Sequence, residues 1–390
     1  MATTPVLSTS TAPLFTTFTV GSLTLDNRIV MAPMTRELSP DGVPGPDAAA
    51  YYARRAENGV GLIITEGTVI DHPASASSDA IPRFHGEDAL AGWADVVRAV
   101  HAAGSRIAPQ LWHVGLDPLL WGAAPRTRRA MPGDVRPISP SGVDPDAVAD
   151  DSSADLQTVG RPMSESEIAD VIDAFARAAA DARRIGFDGI ELHAAHGYLI
   201  DQFFWDVTNR RTDRYNGGVA DRARFGAEIV QACRRAVGPG FPISLRFSQW
   251  KVGHYNTRLA NDPAQLEAFL APLVDAGVDL FHCSTRRFWL PEFDGSALNL
   301  AGWVKKLTGK PTITVGSVGL RDSDFLTYLD GKGAETGDVN AVTERLERGE
   351  FDLVAVGRSL IADPAWPIKI REGRLDDLID FRADMLRTLD

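Results

Sequence analysis

Eight short apolar runs recur along this chain, and each is followed by a longer stretch with helical periodicity. The runs occupy residues 27–34, 61–70, 105–113, 189–196, 242–249, 280–285, 311–319 and 351–360. Most are near-continuous stretches rich in Val and Ile. That pattern marks parallel strands covered on both faces, not a sheet with one wetted side. Helical patterns lie between them at 47–57, 88–103, 164–185, 220–237, 263–276, 297–307 and 339–348. Ser164, followed by Glu165 and Glu167, is a candidate N-cap for the third. Strict strand–helix alternation points to an α/β fold with a parallel sheet. Eight units within 390 residues favour a closed (β/α)8 TIM barrel over an open doubly wound sheet. Residues 1–390 are therefore read as a single barrel domain.

Composition narrows the function. Hydrophobic residues at 44% and charged residues at 24% match an ordinary globular protein and exclude wholesale disorder. No apolar run reaches the roughly 20 residues of a membrane helix. Lys and Arg number 40 against 52 Asp and Glu, a net charge of −12. This balance argues against nucleic acid or an anionic membrane as the main partner. The two cysteines, Cys233 and Cys283, exclude a disulfide framework and a four-cysteine zinc or iron–sulfur site. The first residues lack the basic and apolar regions of a signal peptide, so a cytoplasmic location is expected. The first ~25 residues are expected to cover the barrel bottom or lead into the first strand. Residues 115–162 interrupt the alternation. They are rich in Pro, Gly and Asp, with basic Arg126, Arg128 and Arg129 and an acidic stretch at 144–151. A loop this long after the third strand is expected to cap the catalytic face. A second excursion spans 251–262.

Barrel chemistry sits at the C-terminal ends of the strands. There the chain presents Thr35 and Arg36, Glu66 and Gly67, Gln110 to His113, His193 to Tyr198, Arg246, Gly316 to Gly319, and Gly357 to Ser359. Glycines after strands seven and eight, with Arg358, suit an anionic phosphate. Arg246 lies in an apolar run and needs an accepting partner, either a carboxylate such as Glu66 or Glu191 or an electron-rich cofactor. Gln110 offers an amide donor and acceptor to a heterocycle edge. His193 and His196 are three apart, so they converge only if the strand ends between them. No third metal ligand stands nearby, and two donors holding an oxygen fit better than a metal. Tyr198 is a candidate proton donor or an aromatic gasket at the rim. His72, His101 and His282 are read as packing or locally hydrogen-bonded residues.

The segment 189–218, GIELHAAHGYLIDQFFWDVTNRRTDRYNGG, is the most specific. NRIVMAPMTR at 27–36, PQLWH at 109–113, SLRFS at 244–248, TVGSVG at 314–319 and VAVGRSLIADP at 354–364 accompany it in order. Together they resemble the Old Yellow Enzyme family of flavin-dependent ene-reductases, from about residue 27 to 364. The resemblance implies a tightly bound, non-covalent FMN, reduced by NADPH or NADH, and a small-molecule enone-type substrate. It places Ala32, Pro33, Met34, Thr35, Gly67, Gln110 and Arg246 at the flavin ring, and Gly316, Ser317, Gly357 and Arg358 at its phosphate. It assigns His193 and His196 to the substrate's activating oxygen and Tyr198 to proton donation, with Trp112 shaping the pocket.

The chain departs from the family in places. Thr35 stands where many bacterial relatives with the HAAHGY motif carry cysteine, and Asn216 interrupts the usual Y-G-G-S. Ala220-Asp221-Arg222 replaces E-N-R, and Asp201 stands where relatives often have Asn or His. Arg36 and Glu37 supply no tyrosine from the first loop. An amine-oxidising N-demethylase relative, a non-catalytic flavin-binding barrel and a metal-dependent hydrolase are the competing readings. The physiological substrate and the assembly state stay open, a homodimer included.

Overall fold

The computed structural model describes residues 10–121, 135–148, 160–321 and 331–390. Eight parallel strands close into a barrel in chain order: β1 (Ile29–Met31), β2 (Leu62–Val69), β3 (Arg106–Trp112), β4 (Ile190–His196), β5 (Ile243–Lys251), β6 (Leu280–Ser284), β7 (Thr312–Val315) and β8 (Leu353–Val356). Closure is completed by β8 against β1, with Val354 opposite Ile29. Every residue of β2 is buried, which explains why its sequence shows no alternation of apolar and exposed positions.

The helices around the barrel are α1 (Pro46–Glu57), α2 (Glu87–Ala102), α3 (Glu165–Ile185), α4 (Arg224–Val237), α5 (Pro263–Ala276), α6 (Leu300–Thr308) and α7 (Asn340–Glu347). In α3 the buried stripe Ile168, Val171, Phe175, Ala178 and Ala182 follows helical spacing. Ser164 starts this helix with a capping box: its Oγ accepts from Glu167 N, and Glu167 Oε2 accepts from Ser164 N. Two helices differ from their predicted bounds. The 220–237 pattern divides into one turn, Val219–Arg222, and α4. The 297–307 pattern begins only at Leu300, because Asn299 Oδ1 accepts from Gly302 N and caps it.

Two apolar layers result. One lies between the barrel and its helices. The other fills the barrel, where Leu62, Leu280, Ile313 and Leu353 meet Phe18, Leu23 and Leu25 of an N-terminal hairpin. This hairpin plugs the barrel bottom, as expected of the first residues. The capping excursion is described only in part, and Arg126, Arg128 and Arg129 lie outside the described residues. In the described part, Trp121 packs on Trp205 and His254 at ring distances of 5.9 and 5.7 Å, and Asp146 pairs with His254. No helix among the described residues is long and apolar enough to cross a membrane.

The capping box is exposed at a helix end, and neither Ser164 nor Glu167 lines the cavity at the barrel mouth. Ser164→Ala is expected to lower unfolding free energy by about 1 kcal/mol in a denaturant titration, with cofactor content unchanged.

Candidate active site

At the C-terminal ends of the strands lies a cavity of about 340 Å³, within the range of roughly 300–1,000 Å³ typical of small-molecule sites. Its walls bring together Pro33, Met34 and Thr35 after β1, Gln110 and Trp112 from β3, His193 and His196 from β4, and Tyr198 just beyond it. Arg246 from β5, Gly316 and Ser317 after β7, and Gly357 and Arg358 after β8 complete it. Ala32 and Gly67 stand behind this lining. Ala32 belongs to the apolar filling of the barrel. Gly67 leaves room for Trp112, since a Cβ there would fall 2.5 Å from the indole.

The two histidines converge because β4 loses its regular alternation at its end. The pairing of β4 with β5 shifts between Ala194 and His196, and His196 has φ +65°. The imidazole rings then lie 5.3 Å apart and perpendicular. A left-handed backbone at a non-glycine residue costs about 1–3 kcal/mol and persists only where its surroundings enforce it. Here His196 N donates to Ser248 Oγ (2.9 Å), and His196 O accepts from Val252 N (3.2 Å). Its Nε2 lies 2.7 Å from Ser284 Oγ, and its ring stacks on Trp250 at 4.5 Å. His193 stacks on Trp112 at 5.7 Å. Tyr198 stands edge-on to Trp112 and His193, at 4.7 and 5.0 Å. Burial, and then the Arg246 charge, hold both imidazoles well below their ordinary pKa. Both are therefore neutral at pH 7, and each has one N–H to offer.

Beneath this surface runs a buried polar layer. Glu191 Oε1 accepts from Gln110 Nε2 (2.9 Å), and Oε2 accepts from His282 Nδ1 (2.8 Å) and Ser244 Oγ (3.1 Å). Burial pushes this carboxyl upward, but His282, Arg246 and Gln110 outweigh it and keep Glu191 below the usual carboxylate range. Burial brings Arg246 down to about 10, against the pull of Glu191, so it stays charged at neutral pH. Glu191, and not Glu66, is thus the carboxylate that balances Arg246. Glu66 instead accepts from Arg36 N (2.9 Å) and Glu37 N (3.1 Å), fixing the loop that carries Thr35. Burial raises its pKa to about 7. One N–H of Gln110 is committed to Glu191, leaving its carbonyl oxygen and second N–H for a ligand.

Several site residues were given no role by the motifs. Ser248 and Trp250 continue the alternation of Arg246 along β5, so their side of the strand was readable from spacing. Ser284 follows His282 by two in the same way. Phe381 and Leu386 reach the cavity from the C-terminal segment, which no local pattern announces. The wall after β6 is set by two residues at the start of the loop that follows it. Thr285 and Arg286 line the cavity, while Phe288 is buried in the core and Trp289 O accepts from Arg345 Nη2. His72, His101 and His282 are hydrogen-bonded locally, to His113, Asp188 and Glu191.

Residues 13–377 match the model of the NADH:flavin oxidoreductase / NADH oxidase family. The chain is 34% identical over 377 residues to an NADH oxidase of Thermoanaerobacter brockii, covering 94% of this chain and 52% of that protein. It therefore spans about half the length of that relative. It is 33% identical over 355 residues to a putative 12-oxophytodienoate reductase 2 of Oryza sativa subsp. japonica, covering 91% of this chain and 86% of the relative. A solved morphinone reductase variant in complex with tetrahydroNAD matches with TM-score 0.76 at 31% identity, covering 96% and 93% of the two chains. Fold and site thus define a flavin-dependent oxidoreductase built on a TIM barrel. More narrowly, the chain belongs to the NADH:flavin oxidoreductase / NADH oxidase family, the Old Yellow Enzyme family, and its oxidoreduction depends on FMN.

An anion one layer below a flavin disfavours electron uptake. Glu191→Gln is expected to raise the midpoint potential of bound FMN by at least ~30 mV, equivalent to roughly 1.4 kcal/mol for a two-electron couple. Reductive titration against a reference dye measures this, and an unchanged potential would contradict the electrostatic role of Glu191.

Proposed function

We propose that this protein is an ene-reductase that uses NADH or NADPH to reduce the activated C=C bond of α,β-unsaturated carbonyl compounds. The observation that carries this reading is the convergence of two neutral imidazoles and Tyr198 on one wall of the cavity. The family relationship to 12-oxophytodienoate reductases supports it, and the tetrahydroNAD in the morphinone reductase structure supports a nicotinamide reductant.

The residues suit a flavin. His193 Nδ1, Trp112 Nε1 and Arg246 Nε are buried without a hydrogen-bond partner in the protein, and such groups call for a polar ligand. Pro33, Met34, Thr35, Gln110 and Arg246 would hold the ring, and Gly316, Ser317, Gly357 and Arg358 the phosphate end. Ala32 and Gly67 shape this cradle from behind. Bound FMN would take a hydride equivalent from the nicotinamide and pass it to the β-carbon of the substrate.

The remaining chemistry falls to the protein. His193 and His196 each donate one N–H to the substrate's carbonyl oxygen, which makes the β-carbon electrophilic and stabilises the enolate that follows. Being held neutral, they are poor proton donors, so the α-carbon must be protonated by another group. Tyr198 stands beside His193 and its hydroxyl donates this proton, then recovers one from solvent. Trp112 supports both His193 and Tyr198 and narrows the pocket. Arg246 offsets negative charge that builds beside it.

Tyr198→Phe tests the assignment. The variant is expected to bind FMN and be reduced by NADPH as the wild type is, while cyclohexenone reduction falls about 10²–10⁴-fold, the usual worth of a general acid. Undiminished cyclohexenone reduction would remove Tyr198 from the proposal. Formaldehyde release from N-methyl substrates without enone turnover in the wild type would favour amine oxidation instead.

A further inference from the structure

Gly197 joins the two residues that do the chemistry, His196 and Tyr198, and both of its peptide groups are held by neighbouring side chains. Gly197 N donates to Asp201 Oδ2 (2.7 Å), and Gly197 O accepts from Gln202 Nε2 (2.6 Å). Gly197 has φ +91°, and a Cβ there would lie 2.4 Å from Trp121. The other carboxylate oxygen, Asp201 Oδ1, accepts from Lys251 Nζ at 2.8 Å. Both charged side chains are fully buried, at 0% exposure. Lys251 Nζ also donates to Ser248 O and Gln249 O, each at 3.2 Å, so all three ammonium hydrogens are used.

The ammonium thus gathers the end of β5. From that same stretch come three restraints on His196: Ser248 Oγ accepting its N–H, Val252 N donating to its carbonyl, and Trp250 stacking on its ring. We propose that Asp201 and Lys251 act as a buried positioning pair for catalysis, holding Gly197 and the end of β5 so that His196 and Tyr198 address one substrate. The proposal rests on the ene-reductase reading above. Neither residue lines the cavity, so both act through the backbone they hold.

A buried ion pair is a weak device for stability, since an apolar pair of similar volume often serves as well or better. An apolar pair, however, could not grip an N–H and two carbonyls at once. Stability and positioning are therefore separable by experiment.

The double variant Asp201→Leu/Lys251→Met replaces the ion pair by an apolar pair. As FMN holoenzyme it is expected to match or exceed the wild-type Tm and to be reduced by NADPH within ~3-fold of the wild-type rate. Reoxidation of the reduced holoenzyme by cyclohexenone in stopped flow is expected to slow on the order of 10²-fold, the scale set by small misplacement of reacting groups. Asp201→Asn keeps an oxygen for Gly197 N but grips Lys251 less firmly, and is expected to lose about 10-fold in the same step alone. Reoxidation at the wild-type rate in the double variant would overturn the proposal. So would equal losses in both half-reactions, which would mark a general structural role. If the double variant yields no holoenzyme, Asp201→Asn decides by the same criterion. Failure of the wild type itself to reoxidise with enones would strike the ene-reductase reading and not the pair.

Discussion

The carboxylate of Glu191 is the interaction on which the catalytic face depends. It lies fully buried inside the barrel and accepts hydrogen bonds from Gln110 on β3, Ser244 on β5 and His282 on β6. It therefore ties together four neighbouring strands, its own included, one layer below the cavity. It also balances the buried guanidinium of Arg246, which could not remain charged in such a place without an anion nearby. With Glu191 ionised and Arg246 protonated, the layer above inherits a fixed field. Burial, and then the Arg246 charge that Glu191 sustains, keep His193 and His196 neutral.

Neutrality of the histidines sets the division of labour at the site. A protonated imidazole would be a proton donor in its own right, whereas a neutral one mainly orients and stabilises through its single N–H. Placing two such donors three residues apart on a strand requires the chain to leave regular β geometry. The positive φ of His196 does this, and Ser248, Val252, Ser284 and Trp250 hold it there. Strain at the reacting residue is thus matched by restraints from the two strands that follow it, β5 and β6.

The barrel was legible because closed parallel strands must be apolar on both faces, and the eight runs obey that rule. The expectation that His193 and His196 converge only where the strand ends between them was met differently: β4 runs through His196, and shifted pairing with a positive φ at His196 turns the side chain instead. Arg246 announced its need for an anion, but the choice between Glu191 and Glu66 turned on strand register, which the sequence does not display. Glu66 sits where β2 pairs irregularly with β3, between Ile64 and Gly67, and faces the Thr35 loop. Trp250 and Ser284 follow the alternation of their strands yet carry no motif. Phe381 and Leu386 come from residues that return over the barrel mouth long after the last strand. Such a contact has no local signature and follows only from the closed fold. Arg286 lines the cavity while Phe288 turns into the core, a division that the apolar and basic residues of this loop do not display by themselves.

Every role assigned at the barrel mouth depends on the cavity holding a flavin. The visible absorption spectrum of the purified protein, taken before and after incubation with FMN and removal of excess, tests this most directly. One equivalent of bound flavin per chain, with a spectrum shifted from that of free FMN, is the expected result. A colourless protein that retains no flavin after incubation would contradict it.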